Sequence, residues 1–300
     1  MGMRLVSHLL REGDEVTLLT SGRRPSPFGD DVSMVMADVF DRKSFTSAVA
    51  DLGYFDILFD QLCFDAVDAR LIVDNFSGRI GRCIIVSSGA VYRDTGTPVH
   101  VGEFTEEEFD PTSHVPGAGG MNEVGYAEGK RNAEAYLFQN APFPVAAARF
   151  PVVIGHDDTT LRFQDCVGSI MSGVKVVIPP GGGRRNFIWV DDAGRFLHWL
   201  GATGKTGAYN GASVKAVTAV EIAERMAAVV GRNVHVELAE SASKYPFYYT
   251  PADALISPAR AVSEGFTFTQ FEKWFDQEVK KAAEGKGSDV TFMDIISQKK

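Results

Sequence analysis

The chain is predicted to be an α/β protein: a doubly wound parallel sheet followed by a smaller, less regular C-terminal lobe. Two observations carry that prediction. Strand and helix signals alternate through residues 1–150, the pattern of strand–helix–strand units that build a parallel sheet. The run Arg82–Val86 is apolar at every position after its start, as a strand covered on both faces must be. A length of 300 residues with 45% apolar side chains is enough for such a sheet domain and a second lobe.

Met1–Gly13 reads as a helix, with Gly13 as its stop. Glu15–Thr20 and Val32–Ala37 are β-rich runs. Asp41 is placed to cap a helix that extends to Leu52. Phe55–Phe59 reads as a strand, Ala66–Phe76 and Tyr126–Phe138 as helices, and Val145–Phe150 as a strand. Ligands of such sheets bind beyond the carboxyl ends of the strands, where Thr20, Gln61, Ser87 and Ser88 fall. The second half predicts helices over Leu161–Ser172, Asp191–Leu200, Val217–Val230 and Thr269–Lys281. Short strands are expected at Val174–Ile178 and Phe187–Val190. Phe271, Trp274, Phe275 and Val279 form an apolar stripe at helical spacing, the mark of a core-facing helix. The tail from Glu284 to Asp289 reads as a flexible linker.

A net charge of -9 disfavours non-specific nucleic-acid binding, which needs a basic face. Cys63, Cys83 and Cys166 are odd in number and widely spaced, which points to free thiols in a reducing compartment. No pair has zinc spacing, and none of the six histidines sits in a metal motif. No apolar run reaches membrane-spanning length, and His8, Arg11 and Glu12 break any signal-peptide pattern. A cytoplasmic protein is expected.

The chemistry centres on Tyr126-Ala-Glu-Gly-Lys130, 38 residues after Ser88 in Cys83-Ile-Ile-Val-Ser-Ser-Gly-Ala-Val-Tyr92. Four residues apart on a helix, Tyr126 and Lys130 point the same way, one turn from each other. A fixed ammonium favours the ionised form of a phenol. A strand-end hydroxyl such as Ser88 can hold a substrate oxygen in the same pocket. Together these groups can move a proton to or from an alcohol while a nicotinamide takes or gives a hydride.

Four stretches resemble the extended short-chain dehydrogenase/reductases, the NAD-dependent epimerase/dehydratase family. They are Ile84-Ile-Val-Ser-Ser-Gly-Ala-Val-Tyr92, Tyr126-Ala-Glu-Gly-Lys-Arg-Asn-Ala-Glu134, Ala148-Arg-Phe-Pro-Val-Val-Ile-Gly155 and Arg185-Asn-Phe-Ile-Trp-Val-Asp-Asp192, in the family's order. The resemblance implies a Rossmann-like fold. Residues 1–150, with 187–210 returning to them, would be the dinucleotide-binding domain, and 151–300 mainly the substrate lobe. It implies Ser88, Tyr126 and Lys130 as catalytic residues. Members open with a strand and a glycine turn before their first helix. Here Gly2 stands in the place of the last of those glycines, so the chain is expected to lack about a dozen such residues and to bind dinucleotide weakly.

The cofactor implied is NADP or NAD. Family members that prefer NAD end their second strand in an acid. Here that strand ends at Thr20, 18 residues after Gly2, and Arg23 and Arg24 follow. A guanidinium can hold a 2′-phosphate, so NADP is favoured, while two solvated arginines are the alternative. Asp38 and Val39 match the family's adenine contact; a helix cap is the alternative for Asp38, although Asp41 is better placed for it. Gly2, Thr20, Arg23, Arg24, Asp38, Val39, Tyr126 and Lys130 are the cofactor-binding candidates. Arg185 matches the family's phosphate-gripping arginine, with glycines 181–183 letting its loop approach a ligand. Arg149-Phe150-Pro151 is followed by Val152 where sugar-nucleotide members often carry Asn. Glu106–Glu108 reads as a solvated charge run, and residues 110–122 as a mobile flap over the pocket. The expected partner is a small molecule, with a nucleotide sugar as a candidate, and a homodimer is compatible with the reading. A competing reading is a non-catalytic or RNA-binding member of the atypical branch, which the tail Phe292–Lys300 and the general pattern of residues 10–60 resemble. Retention of Ser88, Tyr126 and Lys130 favours chemistry.

Overall fold

The computed structural model describes residues 1–285 except 24, 93–101, 159 and 240–245. Arg24, most of the predicted linker and the tail Phe292–Lys300 lie outside the described residues. The chain divides into two compact units. Unit 1 comprises Met1–Thr95, Glu106–Phe150 and Ala193–Gly211, and unit 2 comprises Gly96–Thr105, Pro151–Asp192 and Ala212–Lys300.

As far as Phe150 the predicted strands and helices are present, together with a short helix at Met121–Val124 that the sequence pattern does not predict. They are α1 (Gly2–Glu12), β1 (Thr17–Thr20), β2 (Ser33–Met36), α2 (Arg42–Val49), β3 (Phe55–Asp60), α3 (Ala66–Phe76), β4 (Ile80–Ser88), α4 (Met121–Val124), α5 (Tyr126–Asn140) and β5 (Val145–Phe150). Then come β6 (Val152–Ile154), α6 (Arg162–Met171), β7 (Val176–Ile178), β8 (Phe187–Trp189), α7 (Val190–Ala202), β9 (Gly207–Asn210), α8 (Ala219–Val229), β10 (Val236–Leu238), α9 (Ala259–Ser263) and α10 (Phe271–Ala283). Local chemistry sets the boundaries. Gly13 ends α1 in the left-handed region, at φ 89°. Asp41 and Asp65 cap α2 and α3, each carboxylate accepting from two backbone N–H groups.

Every strand pair in unit 1 is parallel. The main sheet runs β3-β4-β5-β9, and β1 pairs with β2 in a separate ribbon. Among the described residues β1 and β3 therefore each keep one edge without a strand partner. Both still pack on the same core: Leu19 of β1 and Leu58 of β3 lie against a cluster that includes Phe45, Ile72, Phe76, Cys83, Ile85 and Leu137. Strand β5 is buried at all six positions, and β3 at none. A second helix layer approaches closely through α7. A Cβ on Gly194 would come 2.5 Å from Arg4 Cβ, and one on Gly201 would come 2.8 Å from the Phe59 ring.

Unit 2 is built on the parallel pairs β6-β8 and β10-β7, with α6, α8 and α10 around an apolar cluster. The α10 stripe lies in that core, with Phe271, Trp274, Phe275 and Val279 all buried. Thr218 and Glu221 form a capping box at the start of α8.

Candidate active site

Lys130 and Tyr126 lie together beside the carboxyl ends of β3 and β4, and Ser88 ends β4. Gly125, at φ 84°, separates α4 from α5, so Tyr126 opens α5. Its ring is 46% exposed. One turn later Lys130 is only 2% exposed. Its ammonium donates to Cys63 O (2.7 Å) and Val86 O (2.8 Å), 4.6 Å from the Phe64 ring centroid and 5.9 Å from that of Tyr126. This approach depends on Gly129, where a Cβ would meet the Phe64 carbonyl oxygen at 2.7 Å. Asp65 ties the neighbouring elements together: besides capping α3 it accepts from Met121 N (2.8 Å).

Ser88 ends β4, two residues beyond Val86 and in register with Phe150. Its Oγ accepts from Ala90 N (3.1 Å), which leaves the hydroxyl proton to donate. Among the described residues no hydrogen bond joins the Ser88 and Tyr126 hydroxyls. Burial pushes the Asp60 carboxyl up, while the Leu62 N–H and the Lys130 charge act the other way. Burial also pushes the Cys63 and Cys83 thiols well up, so they stay protonated and unreactive. All three cysteines are free.

A buried network behind these residues was not read from the sequence. Arg149 and Glu134, both fully buried, pair at 2.6 Å. Arg149 also donates to Tyr92 Oη (2.9 Å), Glu106 O (3.0 Å) and Phe109 O (3.0 Å). Ser87 donates to Glu134, and the Tyr92 hydroxyl donates to Asn210 Oδ1 (2.7 Å). The one available signal was an arginine inside the otherwise apolar Val145–Phe150. Two expectations are corrected here. Glu106 is not a solvated charge: it is 9% exposed and accepts from Asn210 N (2.7 Å). Residues 110–122 are fastened to α5 by their own contacts. Gln139 donates to Pro111 O (2.8 Å) and His114 O (2.7 Å), and His114 reaches Glu128 (3.1 Å) and Asn132 (3.0 Å).

At the other predicted subsite, Thr20 ends β1 and its Oγ1 accepts from Gly22 N (3.3 Å). Arg23 and Asp38 are brought together at 3.3 Å as an exposed pair, while Val39 packs against the core cluster. Gly2 starts α1 beside Gln61, the residue after β3; a Cβ there would lie 2.7 Å from Gln61 Nε2. In unit 2, Arg185 bridges to Val217 through the backbone and donates to Tyr248 O (3.1 Å). Gly182 and Gly183 serve close packing within the chain itself, against Tyr249 and the Ala252–Asp253 backbone. Among the described residues there is no metal-binding cluster, and no helix is long and apolar enough to cross a membrane.

No protein-family model matches the chain, and no curated relative does. Solved structures do. The dTDP-glucose 4,6-dehydratase of Bacillus anthracis str. Ames, in complex with NAD, superposes with TM-score 0.70 at 15% identity, over 95% of this chain and 94% of that one. The UDP-glucose 4-epimerase of Thermotoga maritima, with UDP-glucose, does so with TM-score 0.70 at 14% identity, over 95% and 96%. The UDP-glucose 4-epimerase of Thermus thermophilus, complexed with NAD, gives 0.65 at 17% identity, over 94% and 95%. Likeness at such identities is a likeness of fold, and the chain has the Rossmann-type fold of the NAD-dependent epimerase and dehydratase enzymes.

Proposed function

We propose that the chain is an NAD(P)-dependent epimerase, dehydratase or reductase acting on a hydroxyl or carbonyl carbon of a sugar-nucleotide-like substrate. The observation that carries this reading is Lys130, whose buried ammonium is held at Cys63 O and Val86 O beside the exposed Tyr126. An ammonium has three donors. Two are spent on carbonyls, and the third suits a ribose hydroxyl. Gly2 starts α1 against the Gln61 side chain, and a helix N-terminus there suits a pyrophosphate. Thr20, Arg23 and Asp38 stand at the adenosine end, where Arg23 favours the 2′-phosphate of NADP. The residues present therefore fit a nicotinamide dinucleotide, which when bound supplies the hydride acceptor or donor.

In this reading the phenol of Tyr126 takes the proton from a substrate hydroxyl, or returns it to a carbonyl oxygen. Lys130 favours the phenolate electrostatically. Ser88 donates its hydroxyl proton to the same substrate oxygen and fixes it against Tyr126. The Arg149–Glu134 network holds β4, α5 and the turn after Ser88 in place. Residues 1–150 and the returning 187–210 hold the dinucleotide, and the rest is mainly the substrate lobe, where Arg185 grips a phosphate.

The test is turnover of UDP- or dTDP-hexoses with NADP or NAD, followed by chromatographic separation of the sugar products, with near-ultraviolet absorbance reading any net change in the oxidation state of the nicotinamide, in wild type and Tyr126→Phe. The variant removes only an exposed hydroxyl. It should lower turnover by about 10²–10⁴-fold with unchanged thermal stability. Equal turnover in the two proteins would remove Tyr126 from the mechanism.

A further inference from the structure

Lys130 is a buried cation that forms no ion pair among the described residues. Dipoles and a ring surround its ammonium instead. The Cys63 and Val86 carbonyls accept from it, and it stands over the Phe64 ring, 4.6 Å from the centroid. The face of an aromatic ring is negative, and its attraction for a cation is greatest where water is excluded. The Tyr126 ring, at 5.9 Å, lies at the limit of that reach, which is about 6 Å. Phe64 is therefore the nearer aromatic partner of the charge.

The backbone fixes Phe64 where it stands. Its N–H donates to Asp68 Oδ2 (2.9 Å) in the first turn of α3. Its carbonyl oxygen packs on Gly129, the residue before Lys130, where a Cβ would come within 2.7 Å. Its chain neighbours are committed too: Cys63 offers a carbonyl to the ammonium, and Asp65 caps α3. The half-buried Phe64 ring also meets the Tyr126 ring, with centroids 6.5 Å apart and planes at 54°. One side chain thus borders both members of the Tyr126–Lys130 pair. We propose that Phe64 is a positioning residue of this pair, its ring holding the ammonium beside the Tyr126 phenol by a cation–π contact. The inference deepens the proposed function and rests on that reading for the roles of Lys130 and Tyr126. The titratable groups around the ammonium and its Cys63 carbonyl are Tyr126 from α5, Asp60 and Cys63 from the end of β3 and its loop, Asp68 from α3 and Cys83 from β4. A change at Phe64 leaves all of them in place.

The experiment follows the Lys130 side-chain NMR resonance through a pH titration of the full chain. Wild type is compared with Phe64→Leu and with chains carrying phenylalanines of increasing fluorine content at position 64 alone. Leucine keeps apolar bulk but has no π face. Fluorine withdraws charge from the face of the ring and nearly keeps its shape, so this series remains readable if Phe64→Leu does not fold. Phe64→Leu should lower the proton affinity of Lys130 by about two- to thirtyfold, because the ring favours the charged form. Along the fluorinated series Lys130 should give up its proton at successively lower pH. Phe64 acting by shape alone would leave the titration the same across that series, and this result overturns the proposal. The readout uses neither dinucleotide nor turnover. Its failure is therefore distinct from failure of the proposed reaction, which Tyr126→Phe tests.

Discussion

Arg149 and Glu134 form a fully buried ion pair that joins β5 to α5, with Nη2–Oε2 at 2.6 Å and Nε–Oε1 at 3.1 Å. The pair spans the element that carries Tyr126 and Lys130 and a strand hydrogen-bonded to β4, which carries Ser88. Removing one partner leaves the other charge buried without compensation. Glu134→Gln should therefore cost about 3–5 kcal/mol in denaturant unfolding. Replacing both residues with apolar side chains of similar volume should cost clearly less than either single change. A single variant within about 0.5 kcal/mol of wild type would contradict this account of the pair.

A second pair sets the acid response of unit 2. Glu278, 1% exposed, accepts from His156 N and, at 2.7 Å, from His156 Nδ1, with Lys281 at 3.0 Å. Burial alone would raise its carboxyl, but these hydrogen bonds and charges outweigh it, and the net direction is down. A carboxyl lowered in the folded state contributes stability above its unfolded value, near about 4.3, and loses it as pH falls through the folded value. The Tm difference between wild type and Glu278→Gln should be largest at neutral pH and shrink on acidification below about pH 4. A difference that grows in acid would reverse the assignment.

In the proposed reading, cofactor choice turns on the end of β1. On that reading Thr20 takes the place of an acid that would repel a 2′-phosphate, and Arg23 follows three residues later, its pairing with exposed Asp38 weak enough to be displaced. NADP should bind about ten- to a hundred-fold more tightly than NAD, from one charge-assisted contact of about 1.5–3 kcal/mol. Replacing Arg23 and Arg24 with alanine should weaken NADP and spare NAD, and Thr20→Asp should invert the order. Tighter binding of NAD by wild type would assign both arginines to the solvated surface.

The legible parts of the fold were those with strong local codes. Ala66–Phe76 and Val145–Phe150 were read to the residue, one because Asp65 caps it and the other because an apolar run sits between turns. Val152–Ile154, Gly207–Asn210 and Val236–Leu238 were missed, since three or four residues carry too little periodicity to register. Burial of Glu106 was illegible because its partner, Asn210 N, is 104 residues away. At the site, the Tyr126–Lys130 spacing is local and could be read directly. The Cys63 and Val86 carbonyls that hold Lys130 are set by tertiary approach through Gly129, and no spacing encodes them.

The central claim is that Lys130, Tyr126 and Ser88, with the start of α1, form a nicotinamide dinucleotide site. The most direct measurement is a titration of the isotope-labelled chain with NADP and NAD, up to millimolar concentration, followed by backbone amide resonances. The account predicts concentration-dependent shifts at Gly2, Gln61–Cys63, Val86–Gly89 and Tyr126–Lys130, still rising at millimolar dinucleotide and diminished in Lys130→Met. Shifts confined to other regions, or none at millimolar dinucleotide, would contradict it.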